Sequence, residues 1–327
     1  SVDKPCSNSF ADAQGNRYIT CINADFSDAD PDCLIVTPRG NWTGKTKGGL
    51  ILSHDQGRTF RRLPMPFGLS KELDEALHFI ECPNVNSGWV ALSSDTKHIV
   101  WSVADGIDLP VSRLLVSHDG GETFSFGKVY DLQGSQVIKG RLKVYADRMD
   151  SSLFYGWGDH SDFYISHDSG STYHQYPLPD EFPVVNFGLI DCANRTEIRG
   201  ETGRIGTFYI ATGQGGLWKL IYTPDKDTVV LRRLSGEGDV IYRMGLGLGA
   251  PDADYYKDNK AIYCNGIIGG EYGFYRSLDD GESFERLNTD RQMYGEINSI
   301  DGDCRVFGRF YLATGSNGIK YGSIQKP

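Results

Sequence analysis

No stretch of the 327 residues approaches the roughly 18 consecutive apolar positions of a membrane-spanning helix, so no membrane span is expected. Lys and Arg (33) are outnumbered by Asp and Glu (43), and a net charge of −10 leaves no electrostatic footprint for nucleic acid. A Cys-x-x-Cys pair and Cys/His clusters at zinc spacing are missing, so neither a metal nor a cofactor is expected. No low-complexity tract or linker breaks the chain, and no long helix is predicted, which leaves residues 1–327 as one domain. No basic residue leads an apolar leader at Ser1, so the chain is expected to start after any signal peptide or never to have had one.

What the chain has in quantity is Gly (40 residues) and aromatic side chains (12%), a composition suited to many tight turns between packed sheets. One stretch, Ser53-His54-Asp55-Gln56-Gly57-Arg58-Thr59-Phe60, returns at Ser117 to Phe124, Ser166 to Tyr173 and Ser277 to Phe284, always as Ser-x-Asp-x-Gly-x-Thr/Ser-aromatic. An apolar run precedes each copy and the aromatic residue that ends it starts the next strand, the signature of a β-hairpin in which Asp bonds the turn amides and Gly takes a positive φ. Asp55, Asp119, Asp168 and Asp279 are therefore read as closing hairpins rather than as catalysts. The copies stand 64, 49 and 111 residues apart, and the last interval holds two periods. A decayed copy is placed near Gly215 to Leu220, where the apolar lead-in survives and the turn does not. A period of about 50 residues built of short strands is that of a β-propeller blade. The expected fold is all-β, a propeller of seven four-stranded blades, with six as the alternative.

Between the hairpins the predicted strands include Cys33 to Val36, Gly88 to Leu92 paired with Ile99 to Ser102, and Val229 to Leu234 as an outer strand. Gly245 to Pro251 reads as an inner strand, small enough for a crowded centre. Leu69 to Leu77 reads as a short helix or a long loop. Seven cysteines are an odd number, so at least one is unpaired within the chain; Cys6 and Cys21 are placed for a local bridge. With the N-glycosylation sequons at Asn41 and Asn194, they point to a secreted, extracellular glycoprotein with one to three disulfides.

The recurring hairpin resembles the Asp-box of sialidases, sortilin-type receptors, photosystem assembly factors and several glycosidases. From Lys143 onward the order of elements is similar to the C-terminal propeller of glycoside hydrolase family 74, the xyloglucan-cleaving enzymes. The residues that carry this are Lys143 to Asp147 with Phe154-Tyr155, Phe163 to Ser166, Gly245 to Pro251, Gly269 to Ser277, and Arg305 to Gly315 with Gly318 to Gly322. Ala24-Asp25-Phe26 followed by Cys33 to Val36 extends the resemblance more loosely to the N-terminal part. The resemblance implies two propellers facing across a cleft, one catalytic Asp on each, and inversion at the anomeric carbon. One half is absent here. The motif that carries the Asp of the other half, Gly-Asp-x-x-Gly-Phe, is not found between Ser1 and Asn23, so no catalytic residue carries over.

An inverting glycosidase needs two carboxyl groups about 6.5–9.5 Å apart. Asp159, Asp162 and Glu271, on loops beside aromatic residues, are the candidates. Aromatic rings stack on the apolar faces of sugars while polar neighbours bond hydroxyls. Trp42, Trp157 with His160, Tyr242 with Arg243, Tyr272 and Tyr294 are the candidates for such contacts; Trp89, Trp101 and Trp218 are read as core. The expected partner is xyloglucan or another β-glucan, with an N-terminal propeller half on a separate chain as a further partner. The alternative is a non-catalytic propeller that binds glycan or protein. A sialidase is disfavoured because no Arg-Ile-Pro-like opening appears.

Overall fold

The computed structural model describes residues 11–18, 20–39, 49–63, 88–102, 114–137, 142–158, 162–185, 196–315 and 317–323. They fall in two compact units, residues 1–158 with 162–177, and residues 159–161 with 178–327.

The first unit holds three antiparallel sheets, each a meander of consecutive strands. The first is β1 (Thr20–Phe26), β2 (Leu34–Arg39), β3 (Ile51–Ser53) and β4 (Arg61–Arg62). The second is β5 (Trp89–Leu92), β6 (Ile99–Ser102), β7 (Leu114–Ser117) and β8 (Ser125–Phe126). In the third, β11 (Lys143–Ala146), β12 (Phe154–Trp157), β13 (Phe163–Ser166) and β14 (Thr172–Tyr176) follow the same order. A small hairpin, β9 (Lys128–Tyr130) and β10 (Gln136–Val137), adds to this sheet through a parallel pairing of β9 with β14. That addition was not foreseen, since strands of three and two residues carry no readable alternation.

The second unit repeats the plan. Its sheets are β15 (Glu197–Gly200) to β18 (Thr228–Arg233) by way of β16 (Thr207–Ala211) and β17 (Leu217–Thr223); β19 (Val240–Leu248), β20 (Lys260–Ile268), β21 (Glu271–Ser277) and β22 (Glu285–Arg286); and β23 (Ile297–Gly302), β24 (Phe310–Thr314) and β25 (Ile319–Gly322). The described residues thus form six sheets, the smaller of the two expected counts. Leu69 to Leu77 lies outside the described residues.

Strands such as β5, β6, β7 and β13 are apolar and buried throughout because both faces of their sheets are covered. Ile35, Leu52, Leu92, Trp101 and Leu115 fill the space between the first and second sheets, and Val100, Val116, Val144, Phe154 and Tyr173 that between the second and third. In the second unit Tyr209, Leu217, Met244 and Ile262 pack one such layer and Tyr263, Phe274, Ile300 and Leu312 the next. Trp89, Trp101 and Trp218 are buried, as expected.

The acidic hairpins close their turns as the motif requires. Asp55 Oδ1 accepts from Ser53 Oγ (2.8 Å) and Thr59 N (2.8 Å), and Oδ2 from Thr59 Oγ1 (2.6 Å). Asp119, Asp168 and Asp279 repeat this set with Thr123, Thr172 and Ser283. These bonds favour the ionised form: Asp55 and Asp279 are held at about 2, chiefly by the hydroxyls of Thr59 and Ser283. The motif glycine also admits a neighbouring sheet. Gly170 has φ +88°, and a Cβ there would lie 2.1 Å from Val100 Cγ2. At the decayed copy, β17 is the surviving lead-in, and a 3₁₀ turn at Pro224–Lys226 replaces the acidic turn.

A second acidic device lies between the first and second strands. Tyr155 OH donates to Asp147 Oδ2 (3.0 Å), Tyr209 OH to Glu201 Oε2 (3.3 Å) and Tyr311 OH to Asp303 Oδ2 (2.8 Å), each across eight residues. Meander geometry sets the turns after strands one and three at one end of a sheet and the turn after strand two at the other. Both acidic devices therefore share an end, and the opposite end of each sheet is left to other residues.

Candidate functional site

At those opposite ends the structure places every sequence-derived binding candidate it describes, with unequal suitability. Trp157 ends β12 but is fully buried, its ring 4.5 Å from that of Phe163, so it is a core residue with no face open to a sugar. Arg243 is also buried; its guanidinium donates to Tyr242 O (2.6 Å) and Asn298 O (3.1 Å), which makes it a fastener between β19 and β23. Tyr242 is the extra residue of a β-bulge in β19, between Ile241 and Arg243, and stays half-buried. Trp42, Asp159 and His160 lie outside the described residues, as do the sequons at Asn41 and Asn194.

Tyr272 and Tyr294 do come together, around Phe274. The Phe274 ring stacks on Tyr294 (6.2 Å, 13° between planes) and meets Tyr272 edge-on (6.5 Å). Both tyrosines are half-exposed, and polar groups surround them. Asn265 Nδ2 donates to Tyr272 OH (3.0 Å), and Asn288 Oδ1 accepts from Phe274 N (2.8 Å). Arg286 holds Glu271, Tyr272 O and Asp290 at once. A ring edge flanked by amides, a guanidinium and carboxylates is the chemistry that sugar hydroxyls and pyranose faces recognise. Asn265, Arg286 and Asn288 were not among the sequence candidates; their signal is the polar residue interrupting an apolar strand, as in Tyr263-Cys264-Asn265.

The two described candidate carboxyls are both engaged. The exposed Glu271 pairs with the half-buried Arg286, and Asp162 Oδ1 accepts from Gln175 Nε2 (3.0 Å). Another pair, missed in the sequence, lies on the innermost strands of the second unit. Glu197 Oε2 accepts from Met244 N (3.2 Å) and Asp301 Oδ1 from Leu246 N (3.0 Å). Asp301 is solvent-exposed yet hemmed in by strands: desolvation pushes its carboxyl up, Arg199 opposes this, and Glu197 adds to the rise. Amides two residues apart on one strand set these carboxyls roughly 7 Å apart, a spacing found in inverting pairs. Both oxygens, however, cap edge amides of β19, and β23 lies so close that a Cβ on Gly245 would meet Asp301 Cα at 2.5 Å. As expected of a crowded inner strand, this is fastening. Asn23 and Asp25 do the same in the first unit, accepting from Val90 N and Leu92 N (both 2.9 Å).

Cys33 and Cys264, both buried, and the exposed Cys304 are free thiols. Four of the seven cysteines remain, which lowers the ceiling from three disulfides within the chain to two.

Comparison with solved structures defines the class first. The chain is a β-propeller, with a TM-score of 0.68 to the GH74 xyloglucanase of Xanthomonas campestris at 22% identity, over 95% of this chain and 38% of that one. No family model matches. Among curated proteins the chain is 32% identical over 307 residues to xyloglucanase Xgh74A of Acetivibrio thermocellus, covering 93% of this chain and 30% of that protein. It is 27% identical over 326 residues to a xyloglucanase of a Paenibacillus species, covering 98% of this chain and 27% of the relative. Its homologues are xyloglucanases of glycoside hydrolase family 74, and it spans about 30% of the length of those curated relatives.

Proposed function

We propose that this chain is one propeller of a xyloglucan-acting glycoside hydrolase, holding the polysaccharide on its rim and depending on a second propeller for hydrolysis. The observation that carries the reading is the 32% identity to Xgh74A across 93% of the chain. The Tyr272–Phe274–Tyr294 edge, with Asn265 and Arg286 beside it, is the subsite the geometry supports best. Its substrate is outside the cell, and secretion, sequon glycosylation and disulfides among the remaining cysteines accord with that setting.

The experiment is reducing-sugar release from xyloglucan by the full gene product and by this chain alone. Release by the first, and retention of the second in a xyloglucan affinity gel without turnover, is the expected result. Absence of both release and retention would refute the proposal. A second reading, a propeller that binds glycan without catalysis, is favoured by the engagement of Glu271 and Asp162 in bonds of their own. It predicts retention without release even for the full gene product.

A further inference from the structure

The first sheet gathers three metal-ligating side chains at its acidic end, where the sequence showed no ligand spacing. Asp30 and Cys33 belong to the turn between β1 and β2, and His54 to the acidic hairpin between β3 and β4. One ligand atom from each lies within 4.8 Å of the other two. Cys33 is fully buried and carries a free thiol, Asp30 is half-buried and His54 exposed, so the cluster has a closed inner wall and an open outer side. Asp30 Oδ1 takes one backbone amide, that of Asp32 (3.2 Å), and the turn is pinned by Cys33 N to Asp30 O (2.9 Å) and Ser27 N to Cys33 O (3.3 Å). Asp30 and Cys33 thus sit on anchored backbone, and the three ligand atoms are close enough to converge with side-chain movements of about 1 Å on the 2.0–2.3 Å bonds of zinc.

The same three places can be followed through the unit, because the corresponding turn bonds recur as Ser93 N to His98 O (2.9 Å) and Asp147 N to Leu153 O (3.0 Å). In the second sheet they hold Asp95, His98 and His118, and the two imidazoles bond each other directly, Nδ1 to Nδ1 at 2.9 Å. In the third they hold Asp150, Leu153 and His167, and the apolar residue leaves no ligand set. The hairpin histidine is therefore part of the repeat, whereas its company differs from sheet to sheet. Only in the first does it meet a thiol and a carboxylate.

We propose that Asp30, Cys33 and His54 bind a borderline-soft divalent cation of the zinc class, with solvent completing a tetrahedral shell. The ion would clip the β1–β2 turn to the β3–β4 hairpin. This is independent of the glycan reading.

Titration of the purified, metal-stripped chain with Co²⁺ is the test, because a thiolate ligand gives a sulfur-to-cobalt charge-transfer absorption. One equivalent is expected to produce that band, Zn²⁺ to displace it, and Zn²⁺ to raise the thermal midpoint. Cys33→Ser should abolish the band. His54→Ala, at an exposed position that does not endanger folding, should weaken binding by about tenfold or more, while His167→Ala leaves it unchanged. No band, a band that survives Cys33→Ser, or equal behaviour of His54→Ala and His167→Ala would each overturn the proposal; if Cys33→Ser fails to fold, the two histidine variants decide it.

Discussion

Replacing Gly170 by Ala tests the claim that the hairpin glycine is required by both backbone and neighbour. At φ +88° an L-residue costs about 1–2 kcal/mol. The new Cβ would also stand 2.1 Å from Val100 Cγ2, where apolar contacts prefer about 3.5–4.0 Å. Relieving that overlap in a packed layer costs about 1–3 kcal/mol more, for a total of about 2–5 kcal/mol. Gly120, in the second hairpin, is the internal control: its φ is +71°, but nothing lies within 4 Å of a built Cβ. Gly120→Ala should therefore cost only the backbone share, about 1–2 kcal/mol. Urea unfolding followed by tryptophan fluorescence measures both. A double-mutant cycle with Val100→Ala, which removes the clashing methyl, should recover about 1–3 kcal/mol as coupling. Equal losses for the two glycines, or additivity of Gly170→Ala with Val100→Ala, would refute the reasoning.

Lys219, buried, bonds Asp280 Oδ1 at 2.8 Å and lies 3.9 Å from the fully buried carboxylate of Glu201. Lys219→Met should destabilise the protein by about 3–5 kcal/mol, read from the same urea transitions. Because the folded carboxyls of Asp55 and Asp279 lie at about 2, below the ordinary value near 4, their stabilisation is complete above that ordinary value and lost as pH falls through about 2. Unfolding midpoints measured between pH 5 and pH 2 should accordingly drop, and Asp55→Asn with Asp279→Asn should flatten the slope. Tyr272→Ala and Tyr294→Ala are each expected to weaken xyloglucan retention in affinity electrophoresis by about fivefold, the equivalent of about 1 kcal/mol for a lost aromatic contact, with the urea midpoint checking that the fold is retained.

The propeller was legible because its hairpins are local: eight residues contain the turn, its acceptor and its glycine, and the period between copies supplies the rest. The β5–β6 hairpin and the outer strand β18 were readable for the same reason. The tyrosine clasps were overlooked although they too recur, as an acidic residue followed eight positions later by Tyr, because one partner sits in a turn and the other within a strand. What sequence could not supply is which aromatic rings face outward. Trp157 and Tyr272 both flank a turn after a second strand, yet Trp157 is covered by its own sheet's neighbours and Tyr272 is not. The metal-ligand trio was hidden for the reason that hides most such clusters: Cys33 and His54 are distant in the chain and meet only across a sheet end.

The confinement of the acidic hairpins and the tyrosine clasps to the same end of the sheets that carry them has a consequence for how this protein could be altered. An insertion after Gly270, in the turn between β20 and β21 at the far end, leaves the acidic hairpins and the tyrosine clasps untouched and the Gly269 N bond to Asp239 Oδ1 (2.9 Å) in place. The scaffold is in this sense two-sided, with a conservative base that tolerates little rewriting and a permissive crown on which new recognition loops can be grafted.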